Sequence, residues 1–220
     1  MYLFSRPHWI RQLISRIAIL WPLKAVGTMA FMAIFFWGYF WVLRNPVFAT
    51  TVMPRIGLDA WIPFTPLAFS VYASLWVYVS LPPALLGNTR MLAVYSQWMA
   101  AMCLLCLGIF WLLPTGVPPA VIDWSLYPSI AFIKDTDAAG NACPSLHVAS
   151  AVFSAFWLDR VFAAIGVPRL ARWLSAAYCL AILWSTMATC QHVAIDVLAG
   201  TAVGVVFAVL SLRYAPAGQI

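Results

Sequence analysis

The sequence contains no glutamate: its six acidic residues are all aspartates, and charged residues of both signs make up only 8% of 220 positions. A soluble domain carries about 25%. With 65% hydrophobic residues, the chain has too little polar material to cover a water-facing surface. That excludes a soluble globular protein and leaves an integral membrane protein. A clean secretory leader is also missing, because Arg6, Arg11 and Arg16 interrupt residues 1–23 and no apolar core precedes a small-residue cleavage site. The length leaves no room for a soluble module beside a membrane bundle. Histidine is scarce, with three in all, so imidazole chemistry is confined to few places. The net charge of +6 does not call for nucleic acid, since basic residues gathered on one membrane face explain it.

What is present is aromatic and apolar. Twelve tryptophans and eight tyrosines suit the headgroup interface. Ile10, Leu13, Ile14, Ile17 and Leu20 recur at helical spacing with arginines between them, which predicts an interfacial amphipathic helix within 1–23. Residues 24–220 are expected to form one membrane domain, so the predicted fold is an all-α six-transmembrane-helix bundle with an amphipathic N-terminal helix. The spans fall at roughly 24–43, 61–83, 91–113, 145–164, 170–189 and 192–212, each near the ~20 residues a bilayer needs. One long loop, roughly 114–143, carries Asp123, Lys134, Asp135 and Asp137 among Trp124, Tyr127 and Phe132. It reads as a functional segment lying on the membrane surface. With the N-terminus inside, the cytoplasmic face collects Arg6, Arg11, Arg16, Lys24, Arg90, Arg160, Arg169, Arg172 and Arg213, and the outer face keeps Arg44, Arg55 and Lys134. This bias predicts both termini in the cytoplasm, and the style of the chain suggests a bacterial inner membrane with a periplasmic site.

That topology brings two polar stretches together on the outer face: Asn141-Ala142-Cys143-Pro144-Ser145-Leu146-His147 and Cys190-Gln191-His192-Val193-Ala194-Ile195-Asp196. Each opens an apolar span, so two helix N-termini point at one region, the setting of an anion site. Pro144 suits a first helical position. His192 and Asp196, four apart, share a helix face. Two imidazoles and a carboxylate at an anion site suggest phosphoryl transfer. His192 is the candidate nucleophile, Asp196 orients its ring, and His147 is the candidate general acid. The amides of Ser145 and Leu146, with the Ser145 hydroxyl, are candidate phosphate donors. Two histidines and a carboxylate also compose a zinc set, the competing chemical reading.

Pro144-Ser145-Leu146-His147 resembles the PSxH motif of the phosphatidic acid phosphatase type 2 superfamily, and His192 with Asp196 matches the HxxxD of its third motif, with Ser185 at the expected distance upstream. The resemblance covers roughly residues 60–210. The stretch from Asn141 to Ala149 and the pattern Ile62-Pro63-Phe64-x-Pro66 look most like the branch that contains inositol phosphorylceramide synthases. The resemblance implies a metal-free, cofactor-free reaction through a phosphohistidine, on a membrane phospholipid or isoprenyl phosphate, with water or an acceptor lipid taking the phosphoryl group. Two family features are absent: the Lys/Arg pair of the first motif, and the arginine after the serine of the third, where Thr186 stands. Fewer cations favour a phosphodiester, with about one charge, over a monoester with nearly two. The alternatives are a monoester phosphatase and a lipid-binding or transport protein using the same anion site without chemistry.

The remaining candidates carry ordinary readings beside the functional ones. Lys134 is a phosphate ligand or a solvated loop lysine. Ser185 and Thr186 face the phosphate, or Thr186 bonds back to its own helix. Asn141 touches the headgroup or caps the fourth span, with capping leading. His8, beside Trp9, decorates the interface. Gly200 and Gly204 form a GxxxG that indicates close helix packing. Cys143 and Cys190, flanking the converging histidines, are candidates for a disulfide in an oxidising compartment.

Overall fold

The protein is described from a computed structural model covering residues 7–136 and 140–215, without the side chains of 135 and 136. Arg6 and Asp137 lie outside the described residues, as does the Asp135 side chain. The described helices, in chain order, are α1 (His8–Ala18), α2 (Trp21–Arg44), α3 (Ala68–Ala73), α4 (Leu75–Leu85), α5 (Thr89–Leu112), α6 (Pro128–Thr136), α7 (Leu146–Ala164), α8 (Arg169–Ala188) and α9 (Ala194–Arg213). Two short strands, β1 (Thr51–Val52) and β2 (Thr115–Gly116), pair in parallel. Among the described residues, five helical stretches are long and apolar enough to cross a membrane: α2, α3 with α4 taken together, α5, α7 and α9. Large apolar side chains such as Trp37, Met29 and Ile34 are exposed along α2, the surface of a multi-pass membrane protein. The expected fifth span, α8, has the length at 20 residues, but Arg169, Arg172, Ser175, Ser185 and Thr186 lower its apolarity.

The centre of the molecule is α7, the most buried of the long helices. Trp157, Phe153 and Leu158 on it are fully buried. Its main partner is α9, and the seam between them is built on small residues. A Cβ at Gly200 would run into the Ser145 carbonyl oxygen, and one at Gly204 would lie 2.6 Å from that of Ala149. Glycine at both positions therefore sets how close the two backbones come. Polar groups cross the core in satisfied pairs: Trp157 Nε1 donates to Ser211 Oγ at 2.9 Å, and the Tyr95 hydroxyl meets Ser154 Oγ and the Val79 carbonyl, both at 3.2 Å.

The second span differs most from expectation. It begins at Ala68, not near Trp61, because Pro63 and Pro66 hold the residues before them out of the helical region. This leaves Thr65 to donate its amide to the Ala188 carbonyl at 2.8 Å. The long loop is also more ordered than a surface segment. Thr115 accepts and donates backbone bonds with Ala142 and Gly140, so β1, β2 and Asn141 form a small knit patch, and α6 folds from the rest of the loop. At the other end, α1 rests on α4. Lys24 Nζ donates to the carbonyls of Arg16 and Ala84 at 2.6 and 2.8 Å, and Arg16 reaches the Leu85 carbonyl. Both cations thus meet the carbonyl end of α4, where positive charge is favoured.

Candidate functional site

The patch of knitted loops delivers the first polar stretch to the head of α7. Ser145 is the N-cap: its hydroxyl accepts from the Val148 amide at 3.3 Å, as serine does at this position. Its own amide donates to the Asp196 carbonyl at 3.0 Å. That corrects two expectations. Pro144 precedes the cap instead of opening the helix, and the Ser145 amide is committed to fastening α7 to α9. The amides of Leu146 and His147, in the first turn, remain the ones aimed outward from this helix end. Asn141 does not cap the helix, because Ser145 does. The Asn141 amide nitrogen reaches the Tyr39 carbonyl at 3.4 Å, and its buried Oδ1 has no partner.

The second stretch is positioned by the end of α8. Cys190 takes a left-handed conformation (φ 56°). Its amide donates to the Met187 carbonyl, and the Gln191 and His192 amides both donate to the Thr186 carbonyl. This is the 5→2 and 6→1 pattern that ends a helix with a reversal, with cysteine where glycine is usual. His192 therefore sits on the turn and α9 begins at Ala194, two residues later than expected. The Asp196 carboxylate explains the delay, since its Oδ2 accepts from the Val193 amide at 3.0 Å. His192 Nδ1 and Asp196 Oδ2 are 3.5 Å apart, with side chains 8% and 0% exposed. That is beyond a good hydrogen bond, and both His192 Nδ1 and Asp196 Oδ1 are buried without a partner.

The two histidines converge. Their ring centroids are 6.0 Å apart, with His147 stacked on Tyr72 at 4.8 Å and edge-on to Trp76 at 5.7 Å. Both rings line one end of a cavity of about 940 Å³. Its walls are the apolar faces of α2, α4 and α5, from Phe40 near the histidines to Leu23 and Lys24 at the far end. The rise along α2 from Leu23 to Phe40 is about 25 Å, close to the hydrocarbon thickness of a bilayer.

The expectation of two free helix N-termini is corrected. The Ala194 amide at the head of α9 is taken by Asp59 Oδ1 at 2.8 Å, while Asp59 Oδ2 accepts from Ile56. A carboxylate already sits at that helix end, so the Ala194 amide is not open to an anion. Ser185 and Thr186 donate their hydroxyls to the Ile182 and Leu183 carbonyls, which leaves Thr186 acting through its main chain on the His192 turn. Lys134, on α6, is brought beside that turn: Nζ donates to the Cys190 carbonyl at 2.9 Å and lies 4.9 Å from the Trp124 ring centre.

The candidate disulfide is not formed: Cys143 and Cys190 are both free. They face different partners. The Cys143 thiol lies beside the Asp196 carboxylate, and burial together with that negative charge pushes it up to about 11. The Cys190 thiol lies toward Lys134 and Arg55, and burial raises it as well. Among the described residues no three His, Cys or Asp side chains are grouped as a metal-ligand set. Sequence reasoning missed Asp59, Tyr72 and Trp76. Nothing local marks them, since Asp59 reaches Ala194 across 135 positions and the two aromatics sit among many others.

A family profile described as the PAP2 superfamily matches residues 58–210. No curated protein and no solved structure matches the chain.

Proposed function

The chain belongs to the PAP2 superfamily, and on that premise we propose that it is a metal-independent membrane enzyme that cleaves or transfers a lipid-linked phosphate or phosphorylated headgroup through a phosphohistidine at His192. Membership supports a phosphatase or phosphotransferase type of membrane enzyme. The observation that carries the finer reading is the His147–His192 pair, 6.0 Å between ring centres, in the wall of a mostly apolar cavity of about 940 Å³.

In this reading the tail lies in the cavity and the phosphorus stands between the two rings. His192 presents Nδ1 to Asp196, which leaves Nε2 to attack. The new N–P bond forms as the bond to the leaving oxygen breaks, and His147 gives that oxygen its proton. Asp196 stabilises the imidazolium that develops and fixes the tautomer. The first-turn amides of Leu146 and His147 face the negative oxygens. Water, or the hydroxyl of an acceptor lipid, then attacks phosphorus and frees His192, with His147 as base. A phosphodiester substrate is favoured, in keeping with the likeness to the inositol phosphorylceramide synthase branch. Residues 24–220 act as one domain of six spans, with α8 as the span of lower apolarity. Both termini are cytoplasmic and the histidines lie at the outer, periplasmic interface of an inner membrane. The amphipathic helix α1 lies along the opposite interface. Support for this orientation is the basic-residue bias.

Binding or transport without chemistry is the second reading, favoured by the 3.5 Å His192–Asp196 separation. Headgroup release by purified protein in lipid nanodiscs separates the two, with phosphatidic acid, isoprenyl phosphate and phosphoinositol lipids, each with chelator and with or without a hydroxyl lipid. Chelator-resistant turnover that His192→Ala abolishes supports the enzyme. Product formed only with the hydroxyl lipid identifies a transferase. Turnover unchanged in His192→Ala would sink the mechanism.

A further inference from the structure

His192 borders two cavities, not one. Bordering it as well is a second space of about 470 Å³, whose polar walls are Arg55, Asp59, Cys190 and His192 itself, with Phe64 and Ile122 among its apolar lining. The two spaces differ in character. The first is lined almost wholly by apolar side chains, whereas the second collects charge from parts of the chain outside the two histidine stretches. Arg55 is exposed, and its guanidinium makes one long contact with the Pro119 carbonyl at 3.4 Å. The counter-charge in the same wall, Asp59, has both oxygens engaged by main-chain amides, Ile56 and Ala194. Lys134 stands behind the wall, held on the Cys190 carbonyl, and both cations act on the Cys190 thiol. The pocket therefore brings one exposed cation, Arg55, to the turn that holds His192, with Lys134 behind that turn, in a chain whose phosphate motifs lack their basic residues.

We propose that this second cavity is the headgroup subsite and that Arg55 is its anion-binding residue, so that a lipid phosphodiester lies with its chain in the apolar cavity, its phosphorus at His192 and its polar headgroup against Arg55. The proposal rests on the enzyme reading above and deepens it. A monoester would fill only one of the two spaces, whereas a diester has a substituent for each. Lys134 acts as a positioning residue, holding the Cys190 carbonyl and with it the His192 turn. A guanidinium is suited to the role because its planar fork donates to two phosphate or hydroxyl oxygens at once.

The test uses the full chain in nanodiscs and inorganic phosphate as probe, with binding read by titration calorimetry and folding by thermal melting. Arg55→Gln is expected to weaken phosphate binding about tenfold or more with an unchanged melting temperature, as Arg55 is exposed. Arg55→Lys is expected to restore part of the loss, and binding is expected to weaken as salt is raised. On a turned-over diester, Arg55→Gln is expected to raise KM more than it lowers kcat. Phosphate binding equal in wild type and Arg55→Gln overturns the proposal, as does a wild type that binds no phosphate. A loss of binding that Arg55→Lys does not repair and that tracks melting overturns it too. The two readings fail separately. Lipid turnover lost in His192→Ala but untouched in Arg55→Gln removes only the subsite. Arg55-dependent phosphate binding without turnover of any lipid removes only the enzyme.

Discussion

Replacing Gly200 with alanine should damage the site through the backbone. The added Cβ would overlap the Ser145 carbonyl oxygen and meet Val148 Cβ at 3.1 Å. The obstacle is main chain, not the end of a flexible side chain, so α7 and α9 must separate. Gly204 gives the scale, because its Cβ would sit 2.6 Å from the Ala149 oxygen, about 0.8 Å short of ordinary contact. Overpacking of that order costs about 1–3 kcal/mol. At Gly200 the movement falls on the residue that caps α7 and bonds to Asp196, so His147 is carried away from His192. A misplacement of about 1 Å can cost about 10²-fold in rate. Gly200→Ala is therefore expected to lose one to two orders of magnitude in kcat. Gly204→Ala, one turn deeper, should lose similar stability with a smaller effect on rate. Melting curves and turnover of both variants in nanodiscs give the comparison. Gly200→Ala with wild-type melting and wild-type turnover would refute the close approach of the two helices and its coupling to the site.

Asp196→Asn keeps an oxygen for the Val193 amide but not the charge facing His192, and should lower kcat by about 10²–10⁴-fold with little change in KM; a drop under threefold would remove its orienting role. Cys190→Gly places glycine at a left-handed position and is expected to stabilise the protein by about 0.5–1 kcal/mol, read as a higher melting temperature, whereas a lower one would show that the cysteine side chain contributes packing that outweighs the strain. The Cys143 thiol, raised to about 11, should alkylate slowly at pH 8 in a Cys190→Ser background. Its rate should climb about tenfold per pH unit with no plateau near 8.5, and a plateau there would mean the thiol is not beside Asp196.

The long helices were legible because apolar runs of membrane length leave few alternatives. The predicted edges of α5, α7, α8 and α9 lie within two residues of those found. Convergence of His147 and His192 was legible because charge bias and span order alone place both on one face. What escaped depends on individual hydrogen bonds. Asp196 looks like a helical neighbour of His192, yet its bond to Val193 fixes the helix start after the histidine. Ser145 reads as a phosphate ligand in a motif, and only the position of α9 shows its amide to be taken. Asp59 lies in a stretch with no sequence pattern, and its place at Ala194 is a tertiary fact. The candidate disulfide rested on proximity of two turns, and in the structure both cysteines are free.

The central claim is that His192 becomes covalently phosphorylated. The direct measurement is a rapid alkaline quench of wild-type protein with a lipid labelled at phosphorus, followed by peptide mapping. The account predicts transient label on the peptide containing His192, with decay matching product release, no label in His192→Ala, and slower formation in Asp196→Asn. Steady turnover with no labelled protein, or label on a residue other than His192, would contradict it.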